Sequence, residues 1–125
     1  MSKTENVYDA VSAVINKCRE VPSYKCGVYA SSVEFLEEAF NFAVNTIHDL
    51  NSIKGMMVRR TERKILFENH SVIEFLIADE RVRGKRFDYA LADSTISDEG
   101  KILRITVSVV SPKNILFVDT TRGGD

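Results

Sequence analysis

The sequence predicts a single α/β domain in which a mixed central β-sheet packs against an N-terminal helix and one long helix, in two or three layers. Three observations support this fold class. Residues 4–19 and 31–50 carry apolar side chains at helical spacing. From Gly55 onward the apolar residues recur with a period close to two. The runs 71–77 and 87–92 are apolar on both faces, as expected for strands that helices cover on both sides of a sheet.

Length and composition are those of one globular domain. The chain has 125 residues, 44% of them hydrophobic, and a formal net charge of -1, so overall charge gives no reason to expect nucleic acid or an acidic membrane as partner. No apolar run approaches the length of a membrane span, and the polar start MSKTEN does not resemble a secretory signal. Cys18 and Cys26 lack metal-ligand spacing, and we expect buried free thiols in a cytoplasmic protein without metal or other cofactor.

The first half of the chain predicts a helix, a strand and a longer helix. Ser2 and Glu5 have capping-box spacing, and Pro22 ends the helix that follows, which we place at residues 4–19. Residues 26–30 form a short buried strand. Ser31 and Glu34 then make a second capping box before the long helix.

The second half predicts strands alone. The alternating or apolar runs are 56–61, 64–68, 71–77, 87–92, 102–110 and 115–118. Residues 120–125 are expected to form a loose tail. The predicted order is therefore α-β-α followed by six strands.

Residues 71–94 resemble the Walker B region of the P-loop ATPase core in phage large terminases, the motors that package DNA. A strand, an Arg-Gly loop and an apolar strand ending in an acidic residue follow one another, as in VRGKRFDYALAD. The resemblance implies that Arg83 and Gly84 form the loop and that Asp93 corresponds to the magnesium-site aspartate. It also implies that Ser111 and Pro112 form the motif that ends the next strand, predicted at 102–110.

Two departures from that family argue against ATP hydrolysis. The sequence contains no GxxxxGK[ST] phosphate loop, and Ser94 stands where the family carries the acid that activates water. The resemblance further implies that strand 115–118 occupies the inner position in the sheet that the strand before the phosphate loop would fill. The resemblance thus implies a terminase-like scaffold that lacks the catalytic parts.

Basic residues crowd the middle third of the chain. A patch able to contact phosphates or an acidic protein is predicted from Arg59, Arg60, Arg63, Arg81, Arg83, Lys85 and Arg86. The alternative is that Arg59, Arg60 and Arg63 pair across strands with Glu62, Glu68 and Glu74 and add little beyond solubility.

Two functions remain open from the sequence. The first is a non-catalytic interaction protein of a phage or mobile element, a regulator, accessory or inhibitor that binds a protein partner or a second copy of itself. The second is a protein that binds or processes DNA or RNA through the basic region 54–86. Both are expectations, the first by analogy of fold.

Overall fold

The structure is a computed structural model, and it describes residues 5–49, 56–78 and 86–119. Its helices are α1 (Val7–Glu20), α2 (Val33–Asp49) and α3 (Glu99–Val107), with a short 3-10 turn at Pro112–Asn114. Its strands are β1 (Glu5–Asn6), β2 (Lys25–Ala30), β3 (Met57–Arg59), β4 (Lys64–Leu66), β5 (Val72–Ile77), β6 (Tyr89–Asp93) and β7 (Ile115–Asp119). The predicted tail at 120–125 lies outside the described residues. Within the described residues, no helix is long and apolar enough to cross a membrane.

The strands form one mixed sheet of seven strands in the order β1-β7-β6-β2-β5-β4-β3. The five strands that are adjacent in the order β1-β7-β6-β2-β5 run parallel to one another. The pairs β5–β4 and β4–β3 are antiparallel, so the β3–β4 hairpin extends one side of a parallel sheet. The mixed α/β fold predicted from the sequence is confirmed.

Helices cover both faces of the sheet. The larger core cluster joins α1 and α2 to inward side chains such as Val28, Phe75 and Leu91. On the opposite face, Ile105 of α3 packs with Tyr29 and other side chains of β2 and β6. The sequence predicted two helices, and α3 is an addition that completes three layers.

Residues 102–107 of the segment predicted as a strand at 102–110 are helical, so that prediction is wrong. Beyond the helix, Val109 forms only an isolated β-bridge with Phe87. Asp98 caps the helix, since its carboxylate accepts a hydrogen bond from the main-chain N–H of Lys101 at 3.0 Å. Ile102 and Ile105 face the sheet one helical turn apart, whereas the alternation that suggested a strand leaves Val107 65% exposed. The sequence fits both periods, and burial against β2 and β6 selects the helical one.

The starts of the first two helices also differ from prediction. Asn6 caps α1, with its side chain accepting from the N–H of Tyr8 at 2.8 Å, and β1 precedes the helix. The predicted Ser2 cap lies outside the described residues. At α2 the capping hydroxyl belongs to Ser32, which accepts from the N–H of Phe35 at 3.2 Å, because Ser31 is bonded elsewhere.

The final strand β7 is second from one side of the sheet, so it is not an edge strand; that it fills the slot implied by the terminase resemblance stays a prediction. It pairs with β6 on one side and with the two-residue strand β1 on the other. The helix connecting β6 to β7 lies on the opposite face from the helix connecting β1 to β2, and the two connections run in opposite directions along the sheet. This is a doubly wound arrangement, which keeps the handedness of both crossovers the same.

Candidate functional site

The winding of the sheet reverses between β2 and β6. From β2 the chain proceeds towards β5, and from β6 it proceeds the other way to β7. In doubly wound sheets, ligands bind in the crevice outside the carboxyl ends of the two strands at such a reversal. Ser31 follows β2 and Asp93 ends β6, so both lie at this position.

A cleft of about 310 Å³ opens at this edge of the sheet. It is lined by hydroxyl and carboxylate side chains and one aromatic ring, from Ser31, Ser32, Glu34, Phe35, Glu38, Asp93, Thr95 and Asp119. The lining contains four acids and no base. Its chemistry therefore favours hydrogen-bond donors and cations over phosphate.

Asp93 forms the floor of the cleft and is only 3% exposed. One carboxylate oxygen, Oδ2, accepts from the main-chain N–H of Ser31 at 3.2 Å and from its hydroxyl. The other, Oδ1, accepts from the N–H and hydroxyl of Thr95 at 3.0 and 2.9 Å. Two N–H groups and two hydroxyls thus fix the carboxylate and join the ends of β2 and β6.

The magnesium role that the terminase resemblance implies for Asp93 stays a prediction, and in this structure the carboxylate accepts from protein donors. Because both of its oxygens already accept hydrogen bonds from Ser31 and Thr95, a metal ion at Asp93 would have to replace protein donors. Among residues 5–49, 56–78 and 86–119, no group of three or more His, Cys, Asp or Glu side chains has the placement of a metal site. Ser94, next in the chain, is exposed, and its N–H donates to the carbonyl of Val118 at 2.7 Å.

Ser111 and Pro112 lie at the amino ends of the parallel strands, whereas Asp93 lies at their carboxyl ends. They precede β7 at its amino end, where the Ser111 hydroxyl accepts from the N–H of Lys113 at 3.3 Å. Asp93 pairs with Val118 near the carboxyl end of β7. The two parts of the terminase-like motif are therefore not brought together.

The basic residues of the β3–β4 hairpin are largely paired with carboxylates. Arg59 contacts Glu62 at 3.5 Å, and Lys64 lies 3.9 Å from Glu62 and from Glu74. Arg63 donates to Glu37 of α2, a partner that sequence spacing did not suggest. Of the expected pairs, only Arg59 with Glu62 is found among the described residues, as a contact three residues apart and not across strands.

The other predicted basic residues are exposed or fall outside the structure. Arg60 and Arg86 are exposed and have no carboxylate within ion-pair distance in the part of the chain that the structure describes. Arg81, Arg83 and Lys85 lie outside the described residues. Their assignment to a binding patch stays a prediction.

The hairpin carries an apolar row that the sequence analysis missed. Met57 lies directly opposite Leu66, which lies opposite Val72, so one side chain from each of β3, β4 and β5 forms a continuous row. The row lies on the same face of the sheet as α3, but α3 packs against β2 and β6 and not against the hairpin. Met57 remains 55% exposed. We call the surface of Met57, Arg59, Lys64, Leu66, Val72 and Glu74 the hairpin face.

The two cysteines are free and buried, as predicted. Burial raises the pKa of the Cys18 thiol to about 12, and burial followed by the proximity of Cys18 raises the pKa of Cys26 well above its usual value. Both thiols therefore stay protonated in the folded protein and are poor nucleophiles.

Comparison with known proteins gives no family for this chain. No protein family and no curated protein matches the sequence.

Proposed function

We propose that this chain is a non-catalytic interaction domain that binds a protein partner through the hairpin face. The observation that carries the proposal is the apolar row of Met57, Leu66 and Val72 on a part of the sheet that α3 does not cover. The acid-lined cleft at Asp93 supports the same view, because its central carboxylate is engaged by the protein itself.

The apolar row is unusual for a solvated sheet face. Antiparallel strands at the side of a sheet can expose one face to water, and that face then carries polar side chains. Here only the second row, Arg59–Lys64–Glu74, follows this rule. Met57 is exposed and Leu66 and Val72 are half-buried. An exposed apolar residue that continues a row of apolar neighbours beside charged residues suits a contact surface. The small size of the row favours a weak or transient partner.

A protein fits the hairpin face better than nucleic acid does. Phosphate binding needs cations that are free to replace counterions, but Arg63 and Lys64 are paired with carboxylates. Apolar side chains such as Met57 and Leu66 contribute nothing to a phosphate contact. Nucleic-acid binding through region 54–86 is the alternative that the experiment below separates.

A phage or mobile-element origin, and a role as regulator, accessory or inhibitor of a larger machine, is part of the proposal. It rests on the resemblance of residues 71–94 to phage large terminases. The genes that neighbour this one would test it, since phage structural or packaging genes are expected nearby.

The protein-binding proposal is tested by a pair of charge insertions at equally exposed positions. Met57→Glu alters the hairpin face, and Val33→Glu alters the start of α2, where the valine is 58% exposed. Both variants should fold, because neither side chain is buried. Cross-linking in the native cell, followed by mass spectrometry, should identify a protein bound at the hairpin face. The yield of this cross-linked protein should fall by at least about tenfold with Met57→Glu and stay unchanged with Val33→Glu.

Two results would overturn the proposal. One is a cross-linked protein that both variants retain equally. The other is recovery of nucleic acid in place of protein, with affinity that falls steeply as salt rises.

A further inference from the structure

We propose that the partner supplies an extended, acidic segment that pairs with β3 as an added strand. This inference rests on the proposed function and specifies the partner. Three features of the hairpin support it. The outer strand β3 has one neighbouring strand, its side chains terminate the apolar and the charged row of the hairpin face, and its exposed edge is basic.

β3 is the outer strand at its side of the sheet. Within the described residues it pairs only with β4, through the register Met57–Leu66, Val58–Ile65 and Arg59–Lys64. No other described strand pairs with the main-chain N–H and C=O groups of β3 that point away from β4, and groups of this kind at a sheet edge are a template for an added strand. Extended segments bind exposed sheet edges in this way, with main-chain hydrogen bonds giving affinity and alternate side chains giving specificity.

The side chains of β3 indicate what the added strand carries. Met57 and Arg59 end the apolar and the charged row on the hairpin face, whereas Val58 points to the other face and packs against the α1–α2 core. A strand added beside β3 places one residue opposite Met57 and another, two positions away, opposite Arg59. An apolar residue opposite Met57 and an acidic residue opposite Arg59 continue both rows.

Charge at this edge favours an acidic partner over a second copy of the chain. Antiparallel pairing of two β3 strands about Val58 would place Met57 opposite Arg59 and the two Arg59 side chains diagonal to each other. Such self-pairing supplies no carboxylate to continue the charged row. Arg60 is exposed and unpaired in the described part of the chain, and the 3.5 Å contact of Arg59 with Glu62 is solvent-exposed, so both guanidinium groups are available to carboxylates.

A synthetic peptide provides a direct probe. In the peptide Thr-Glu-Val-Val-Thr-Glu-Thr, residues 2, 4 and 6 (Glu, Val and Glu) lie on one face of the strand. The central valine can lie opposite Met57 with a glutamate opposite Arg59, whether the peptide runs parallel or antiparallel to β3. Titration into the full-length protein, followed by amide NMR, should shift the resonances of β3 and slow hydrogen exchange of its outward amides. Two further peptides, N-methylated at positions 2, 4 and 6 or at positions 3 and 5, separate strand pairing from simple charge attraction. Only one of the two should lose binding, because alternate amides of a strand face its neighbour.

Charge reversal provides the second arm. The double variant Arg59→Glu/Arg60→Glu should bind the peptide at least about tenfold more weakly and should bind the same peptide with Lys in place of Glu. The control Arg19→Glu, an exposed residue of α1, should behave as the unmodified protein. Binding should also weaken with added salt.

The inference and the proposed function fail in different ways. No peptide binding up to about 5 mM, equal loss with both N-methylated peptides, or unchanged binding by the charge-reversed variant would overturn strand addition. The proposed function survives that result if cross-linking still identifies a partner that Met57→Glu loses. If no such partner exists, the proposed function fails whatever the peptide does.

Discussion

The hydroxyl and the main-chain N–H of Ser31 both donate to the carboxylate of Asp93, across the point where the winding of the sheet reverses. In a doubly wound fold this is the position that a ligand is expected to occupy. Here the end of β2 and the end of β6 are joined directly by side chains of the protein. The acidic residue that resembles a Walker B aspartate therefore has a structural role in the described fold.

The first prediction is that Asp93→Asn destabilises the protein by about 2 kcal/mol. The carboxylate accepts from two donors on Ser31 and two on Thr95, and an amide replaces one acceptor oxygen with a donor. A main-chain N–H of Ser31 or Thr95 then faces an N–H group, and the neighbouring hydroxyl must rotate to accept from it. Urea unfolding followed by circular dichroism measures the change.

Asp9→Asn is the matched control for this prediction. Asp9 is an exposed residue in the first turn of α1 and is expected to change stability by less than about 0.5 kcal/mol. Equal stability of Asp93→Asn and the unmodified protein would show that the hydrogen bonds at Asp93 are not maintained in solution.

The second prediction concerns Gly27, which allows the ring of Phe87 to pack directly on β2. A β-carbon at residue 27 would lie 2.7 Å from the ring, closer than atoms can approach. Gly27→Ala should therefore destabilise the protein by about 1–3 kcal/mol, because buried Phe87 and its neighbour Tyr29 must shift.

A second substitution distinguishes this clash from a backbone effect. Phe87→Leu in the Gly27→Ala background should recover part of the lost stability, although Phe87→Leu alone is destabilising. Additive losses in the double variant would contradict the packing explanation. A double-mutant cycle measured by urea unfolding provides the test.

Patterns within single segments predicted the strands from β2 to β6 and the two long helices. In the run at 71–77, Ile73 and Phe75 are buried under the α1–α2 layer, whereas Leu76 packs against the core cluster on the opposite face. The position of Asp93 at the end of such a run was also predictable. Its partner was not, because nothing in the sequence shows that β2 and β6 are neighbours and that Ser31 faces Asp93.

The errors arose where tertiary contacts decide between local alternatives. Residues 102–110 fit a strand and a helix, and only packing of Ile105 against Tyr29 and its neighbours favours the helix. The hairpin row depends on the register that places Met57 opposite Leu66. Register also determines that Arg63 reaches Glu37, 26 residues away in sequence. Periodicity within a single segment does not show which segments contact each other or in which register.

The third prediction is that the protein loses stability as pH rises from about 9 towards 12. Burial raises the pKa values of Cys18 and Tyr29 to about 12 and that of Cys26 well above its usual value. In the unfolded chain the thiols ionise near pH 9, so the folded state holds more protons than the unfolded state above that pH. Stability is therefore complete below about pH 8.5 and falls by about 1.4 kcal/mol per pH unit for each thiol that ionises only on unfolding.

Urea unfolding at pH 7.5, 9.5 and 10.5 measures this slope, and Cys18→Ala separates the contribution of its thiol from those of Cys26 and the tyrosines. The variant is less stable at pH 7.5 because it leaves a small cavity, but its stability should fall less steeply above pH 9. An independent measurement uses a thiol reagent at pH 8, where both buried cysteines should react only as fast as the protein unfolds. Rapid modification of native protein, or a slope unchanged by Cys18→Ala, would show that the thiol of Cys18 is accessible to water in the folded state.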